Sequence, residues 1–150
     1  MSALSGRILV TGGAGFIGSH LVRHFAGQAP VTVLDDLRSG YARNLDGITC
    51  RFVRGSILDD ASLREAMAGA EEVYHLAAMI SVPESVAKPA ECAELNTEGT
   101  RRVLAAASEM ATVSSPESMA TVPASAASVP ATILRSVDFP HPLGPTNEMK

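Results

Sequence analysis

Gly12, Gly15 and Gly18 stand in the run Thr11-Gly-Gly-Ala-Gly-Phe-Ile-Gly-Ser-His20, and their spacing suits them to hold a phosphate. A turn that wraps an anion between a strand and a helix must bend sharply, let its backbone approach the anion, and pack the new helix tightly on its sheet. Residues without a Cβ meet all three demands. The helix that follows offers unpaired N–H groups and about half a positive charge to a pyrophosphate. Asp35 and Asp36 follow about twenty residues after the turn, where a carboxylate accepts hydrogen bonds from the hydroxyls of an adenosine ribose. A carboxylate there also repels a 2′-phosphate, so the pattern favours NAD over NADP.

Those residues act together only if regular elements place them. An apolar strand, Arg7-Ile-Leu-Val10, leads into the glycines, and Phe16, Ile17, Leu21, Val22 and Phe25 give the helical pattern beyond them. Val31-Thr-Val-Leu34 reads as a buried strand ending in the acidic pair. Thr49–Arg54 is a third strand, followed by a helix over 61–68 that Asp59 or Asp60 can cap, and Glu72–Ala78 a fourth. A long helix over 90–108 then carries Cys92, Leu95, Gly99, Val103 and Ala106 on one face. Asn96 lies on that same inward face; a buried amide needs partners, so it either ties strands together or reaches the cofactor site. This alternation predicts an α/β fold: a Rossmann-type, doubly wound parallel sheet, incomplete, of about four strands in the order 3-2-1-4, with a fifth available from the tail. Its fourth strand lacks a neighbour on one side, so the tail must cover it or a second chain must, as in a homodimer.

Composition narrows the class. With 12 basic and 16 acidic residues and a net charge of −4, the chain has no electrostatic footprint for nucleic acid. No apolar run is long enough to span a membrane and no signal-like segment opens the chain, which predicts a cytoplasmic protein without membrane partners. Cys50 and Cys92 read as reduced packing residues. After Ser108 the character changes: six of nine prolines lie there, whereas eleven of twelve glycines come before. Pro116, Pro123 and Pro130 mark a weak seven-residue repeat that interrupts any helix. The expected division is a partial dinucleotide-binding domain over 1–108 and an Ala/Ser/Thr/Pro-rich tail over 109–150. Within that tail Thr132–Phe139 is a strand candidate. A composition break inside a fold unit is not where a domain boundary belongs, so a truncation or a shifted reading frame would account for it, as would a genuine segment.

TGGAGFIGSH (Thr11 to His20), VLDDL (Val33 to Leu37) with Arg38-Ser-Gly40 and Asn44-Leu45, HLAA (His75 to Ala78), Ser81-Val82, Ser85, Pro89 and Asn96-Thr-Glu-Gly-Thr100 occur in that order. With these motifs the chain resembles, over about residues 5 to 107, the extended short-chain dehydrogenase/reductase family. Within it the likeness is to NAD-dependent nucleotide-sugar epimerases and dehydratases of the UDP-glucose 4-epimerase type. The resemblance implies that Gly12, Gly15, Phe16, Ile17 and Gly18 contact the pyrophosphate and that Asp35 holds the adenosine ribose. It places Asp36, Ser39 and Gly40 on the adenosine side, Ser56 and Ile57 beside the adenine, and Leu76, Ala77 and Ala78 as a small-residue wall under the nicotinamide. Asn96 matches the family's helix asparagine near that wall. Ser56 departs from the usual aspartate, keeping an acceptor without the charge.

The family's chemistry, hydride transfer between NAD and a sugar hydroxyl carbon, uses a tyrosine base and a lysine four residues later. A phenol of pKa about 10 needs that cation to work near neutral pH. Here Leu45 and Ala78 stand four residues after Tyr41 and Tyr74, so no Tyr-x-x-x-Lys exists and no catalytic residue is assigned. Ser114-Ser115 faintly resembles the serine pair that ends the family's fifth strand. His20 and His24, spaced like two metal ligands on a helix, lack a third and read as a solvated face, so no metal is assigned. His75 reads as a hydrogen-bonded core histidine rather than a general base. The expectation is the NAD-binding portion of such an enzyme, with nucleotide-sugar a partner of full-length relatives; the alternative is a non-catalytic NAD-binding regulatory or interaction module.

Overall fold

The computed structural model describes residues 6–113. Strands β1 (Arg7–Thr11), β2 (Val31–Asp35), β3 (Arg51–Arg54) and β4 (Ala70–His75) form one parallel sheet in the order β3-β2-β1-β4, as the sequence predicts. The central strands run apolar because both their faces are covered. Ile8 and Val10 of β1, with Val31 and Val33 of β2, pack under Val22 and Phe25 of helix α1 (Phe16–Phe25). Leu9 and Leu34 point to the opposite face, against Leu63, Ala66 and Met67 of α2 (Asp60–Met67). Ile8, Leu9, Val10 and Leu34 are at most 1 % exposed, and each such burial contributes about 1.5–3 kcal/mol. These buried strands carry the chain to the switch point between β1 and β4, which is where a dinucleotide binds in this architecture.

Asp59 settles the cap of α2, its Oδ2 accepting the Ser62 N–H at 2.9 Å. The fourth strand is displaced from its expected span of Glu72–Ala78. Gly69, with φ 72°, swings the chain directly out of α2, and an irregularity opposite Arg7 and Ile8 absorbs one residue, so β4 begins at Ala70. At its other end the Leu76 N–H is shared between the Thr11 carbonyl, at 3.1 Å, and Thr11 Oγ1, at 3.2 Å, and pairing stops where the Ala77 N–H turns to the same hydroxyl, at 3.3 Å. Two short helices follow, α3 (Val82–Ala87) and α4 (Pro89–Ala93), the first capped by Ser81 Oγ at 3.3 Å from the Glu84 nitrogen. The single helix expected over 90–108 is α4, a π-helical turn (Glu94–Glu98) and α5 (Gly99–Val113) in sequence, with Leu95 and Val103 on the buried face as anticipated.

β4 hydrogen-bonds only to β1, and its outer edge meets no strand among the described residues. Cys50 and Cys92 are free and half-buried. No helix among the described residues is long and apolar enough to cross a membrane. Ser114, Ser115 and the strand candidate Thr132–Phe139 lie outside the described residues.

Candidate functional site

A cleft of about 410 Å³ opens at the carboxyl ends of the strands. It gathers Gly12, Gly15, Phe16, Ile17 and Gly18 from the turn after β1, and Asp35, Asp36, Ser39 and Gly40 from the end of β2 and its loop. Ser56 and Ile57 after β3 and Leu76, Ala77 and Ala78 after β4 join them, which brings together every predicted residue but Asn96. Gly12 has φ 69°, and a Cβ on it would lie 2.7 Å from the Ala77 nitrogen, so the turn can run against the wall only as glycine. Gly18 packs the first turn of α1 onto the Gly12 carbonyl and the Gly13 Cα. Gly15 caps α1 without a side-chain acceptor, which leaves the helix's first N–H groups for another partner. The turn is thus a cradle that a Cβ would fill, fitted to an anion.

Asp35, 8 % exposed, braces that cradle. Its Oδ2 accepts the Ala14 N–H at 2.9 Å and its Oδ1 the Leu37 N–H at 2.8 Å. Each oxygen keeps a second lone-pair direction, so the carboxylate can still receive ribose hydroxyls. Leu37 is held at φ 62°, the left-handed region that costs a leucine of order 1 kcal/mol, and the bond to Asp35 holds it there. Nothing in the sequence marks a leucine for that conformation. Ser56 Oγ accepts the Leu58 N–H at 3.2 Å, leaving one lone pair for an adenine amino group.

Asn96 is the exception among the predicted residues: it does not line the cleft. Its Oδ1 accepts the Met79 N–H at 2.8 Å and its Nδ2 donates to the Met79 carbonyl at 3.0 Å, so the amide is spent clamping the loop beyond the wall to the π-helical turn. Neither expected partner is the one found: Met79 lies in the loop after β4, so Asn96 joins a loop to a helical turn and not strand to strand. The other anchor of the wall was missed. Thr11 Oγ1, fully buried, accepts from the Leu76 and Ala77 N–H groups and so directs its proton to His75 Nδ1, 2.7 Å away. Thr100 Oγ1 donates to the Asn96 carbonyl at 2.7 Å and is 2.9 Å from His75 Nε2, which fixes the imidazole as the neutral Nε2–H tautomer.

Burial pushes the His75 pKa below the ordinary imidazole value. A native pKa below the unfolded one means that the unfolded chain takes up the proton first. His75 therefore contributes stability that is fully present above about pH 6.5 and is lost as the pH falls through the native value. The thermal midpoint is expected to drop as the pH is lowered from about 7.5 to 5.5, and His75→Gln to flatten that slope. A midpoint in the wild type as insensitive to pH as in the variant would contradict the assignment.

The tyrosines lie away from the cleft. Tyr74 stacks on Phe25 under α1, with ring centroids 4.8 Å apart, and its hydroxyl donates to Glu72 at 3.1 Å. Tyr41 is exposed beneath the Arg43 guanidinium. His20 and His24 stand on the exposed face of α1, His20 Nδ1 lying 2.7 Å from the Phe16 carbonyl oxygen and His24 contacting Gln28.

The geometry agrees with comparisons to known proteins. The family described as NAD dependent epimerase/dehydratase matches residues 8–145. A UDP-glucose 4-epimerase of Mycolicibacterium smegmatis is 46% identical over 108 residues, covering 67% of this chain and 34% of its own length. A UDP-N-acetyl-alpha-D-glucosaminuronate decarboxylase of Bacillus cytotoxicus is 39% identical over 104 residues, covering 67% and 32%. The UDP-glucose 4-epimerase of Thermus thermophilus, solved in complex with NAD, superposes with a TM-score of 0.63 at 38% identity, over 70% of this chain and 34% of that one. The chain thus spans about a third of the length of the curated relatives it matches. A family match over most of the sequence, the 3-2-1-4 sheet and a glycine cradle at its switch point agree, and the chain belongs to the NAD dependent epimerase/dehydratase family.

Proposed function

We propose that residues 6–113 are the NAD-binding half of a nucleotide-sugar epimerase or dehydratase, and that this 150-residue chain alone does not complete hydride transfer. The observation that carries the first part is the single cleft in which the glycine turn, the braced carboxylate of Asp35 and the wall at Leu76–Ala78 meet. The N–H groups at the start of α1 would hold the pyrophosphate, Asp35 the adenosine ribose, Ser56 and Ile57 the adenine, and Leu76, Ala77 and Ala78 would flank the nicotinamide. When bound, NAD supplies the hydride acceptor. What this chain's residues supply is binding, orientation and an apolar wall that excludes water.

The second part rests on the base. Neither tyrosine among the described residues lines the cleft, and no lysine stands four residues after either one in the sequence. A phenol without a cationic neighbour stays protonated near neutral pH. Calorimetry is expected to show saturable NAD binding, and the NAD-loaded chain to leave UDP-glucose unchanged. A folded chain that ignores NAD would overturn the first part; turnover of a UDP-sugar would overturn the second. The outer edge of β4, which meets no strand among the described residues, favours a second reading, a non-catalytic NAD-binding module that pairs with another chain, and sedimentation of the NAD-bound protein as a dimer would support it.

A further inference from the structure

Arg38 is the one basic side chain among the described residues lining the cleft. It sits three residues beyond Asp35, in the loop that carries the ribose-side carboxylates. A guanidinium in that position is the group that would recognise a phosphate on the adenosine ribose, with five donors in a fork that matches phosphate oxygens. Its charge is already engaged. Nη2 donates to Glu91 Oε1 and lies 3.5 Å from Glu84 Oε1, while the Arg38 backbone N–H donates to Asp36 Oδ1 at 3.0 Å. Glu84 belongs to α3 and Glu91 to α4, so two acids from the far side of the sequence reach back to the loop after β2. Lys88 Nζ, 3.4 Å from Glu91 Oε2, holds the second oxygen of that carboxylate. The pairing acts on both partners: hydrogen bonding to Glu91 raises the Arg38 pKa, and the guanidinium holds the Glu91 carboxyl below its ordinary value.

We infer that Glu84 and Glu91 are coenzyme-selectivity residues: by engaging Arg38 they deny a ribose 2′-phosphate the one cationic partner that the described residues bring to the cleft. Discrimination against NADP then has two sources, repulsion by Asp35 and Asp36 and the occupation of Arg38. The inference rests on the NAD-binding reading above and extends it to a choice between coenzymes. Because the ion pairs are substantially exposed, the fold owes them little, and removing the acids changes what Arg38 can meet more than how the domain packs.

The test is a set of dissociation constants for NAD and NADP, measured by calorimetry on the wild type, R38A, the double variant E84Q/E91Q and the triple variant R38A/E84Q/E91Q. E84Q/E91Q is expected to tighten NADP about tenfold while leaving NAD unchanged, since a freed guanidinium gains a charge-assisted bond to phosphate. R38A alone should leave the NAD-to-NADP ratio near the wild-type value, and the triple variant should return to it. An unchanged ratio in E84Q/E91Q overturns the inference. A change that persists in the triple variant also overturns it, because the effect would then be general charge removal. Loss of NAD binding in E84Q/E91Q does so too, by making the acids part of the cleft's support rather than its selectivity. A wild-type chain that binds neither coenzyme is a different failure: it removes the NAD-binding reading itself, and the inference with it.

Discussion

Gly18→Ala is expected to abolish NAD binding and to lower the stability of the domain by about 1–3 kcal/mol, the usual cost of an overpacked contact with no room to relax. The added methyl would be driven into the Gly12 carbonyl oxygen and would come within 2.7 Å of the Gly13 Cα. These are backbone atoms, so no rotamer change can make room. Relief requires α1 to lift away from the turn. Val22 and Phe25 would then leave the core under Ile8 and Val10, and the N–H groups at the helix start would move off the position an anion needs. Gly27→Ala is the control: a Cβ there meets nothing within 4 Å, and its effect should stay within about 0.5 kcal/mol. Urea unfolding of both variants with an NAD titration of each decides the matter. Gly18→Ala with wild-type affinity would mean that the turn does not hold the pyrophosphate.

Asp35→Asn is expected to weaken NAD binding at least about tenfold and to cost about 1–3 kcal/mol of stability, although it changes one atom. Each carboxylate oxygen serves a different backbone donor, Ala14 on one side and Leu37 on the other. An amide has a single oxygen, so whichever way it turns, its NH2 faces one of these N–H groups, the buried one of Ala14 or the half-buried one of Leu37, and leaves that donor without its acceptor. If Ala14 loses its acceptor, the glycine turn loosens; if Leu37 does, nothing holds its left-handed backbone. Asp35→Ala removes both acceptors and should cost more. Calorimetry gives the affinity and urea unfolding the stability. An asparagine variant matching the wild type in both would show that the carboxylate braces nothing.

The cradle and its acid were legible in the sequence because their chemistry is local: glycines at fixed offsets, a strand on either side, and an acid at a strand end. The sheet order was legible for the same reason, as apolar runs alternated with helical ones. What escaped reading depends on pairing across the chain. Thr11 meets His75 and Arg38 meets Glu91 at separations of 64 and 53 residues, and no local pattern marks such partners. The end of β4 was misplaced for a related reason: Leu76–Ala78 continue an apolar run, yet the Ala77 N–H is claimed by a hydroxyl on another strand, and Leu76 shares its own with that hydroxyl. α3 is six residues long, too short for an apolar period to show, although its Ser81 cap and Pro83 are visible in retrospect. Asn96 is half-buried rather than buried, yet it has the partners an inward amide needs, and only the structure could name Met79.

Every described residue that lines the cleft falls between Gly12 and Leu95. On a ribosome, where N-terminal segments emerge first at about 5–20 residues per second, these residues are therefore all synthesised before the later part of a longer relative exists. A ligand that binds only the folded form adds about 2.7 kcal/mol at a hundredfold excess over its dissociation constant, a large share of the stability of a small domain. For a sheet whose β4 edge meets no strand among the described residues, a bound dinucleotide would act as a folding partner. It would hold the carboxyl ends of the four strands together as the sheet forms.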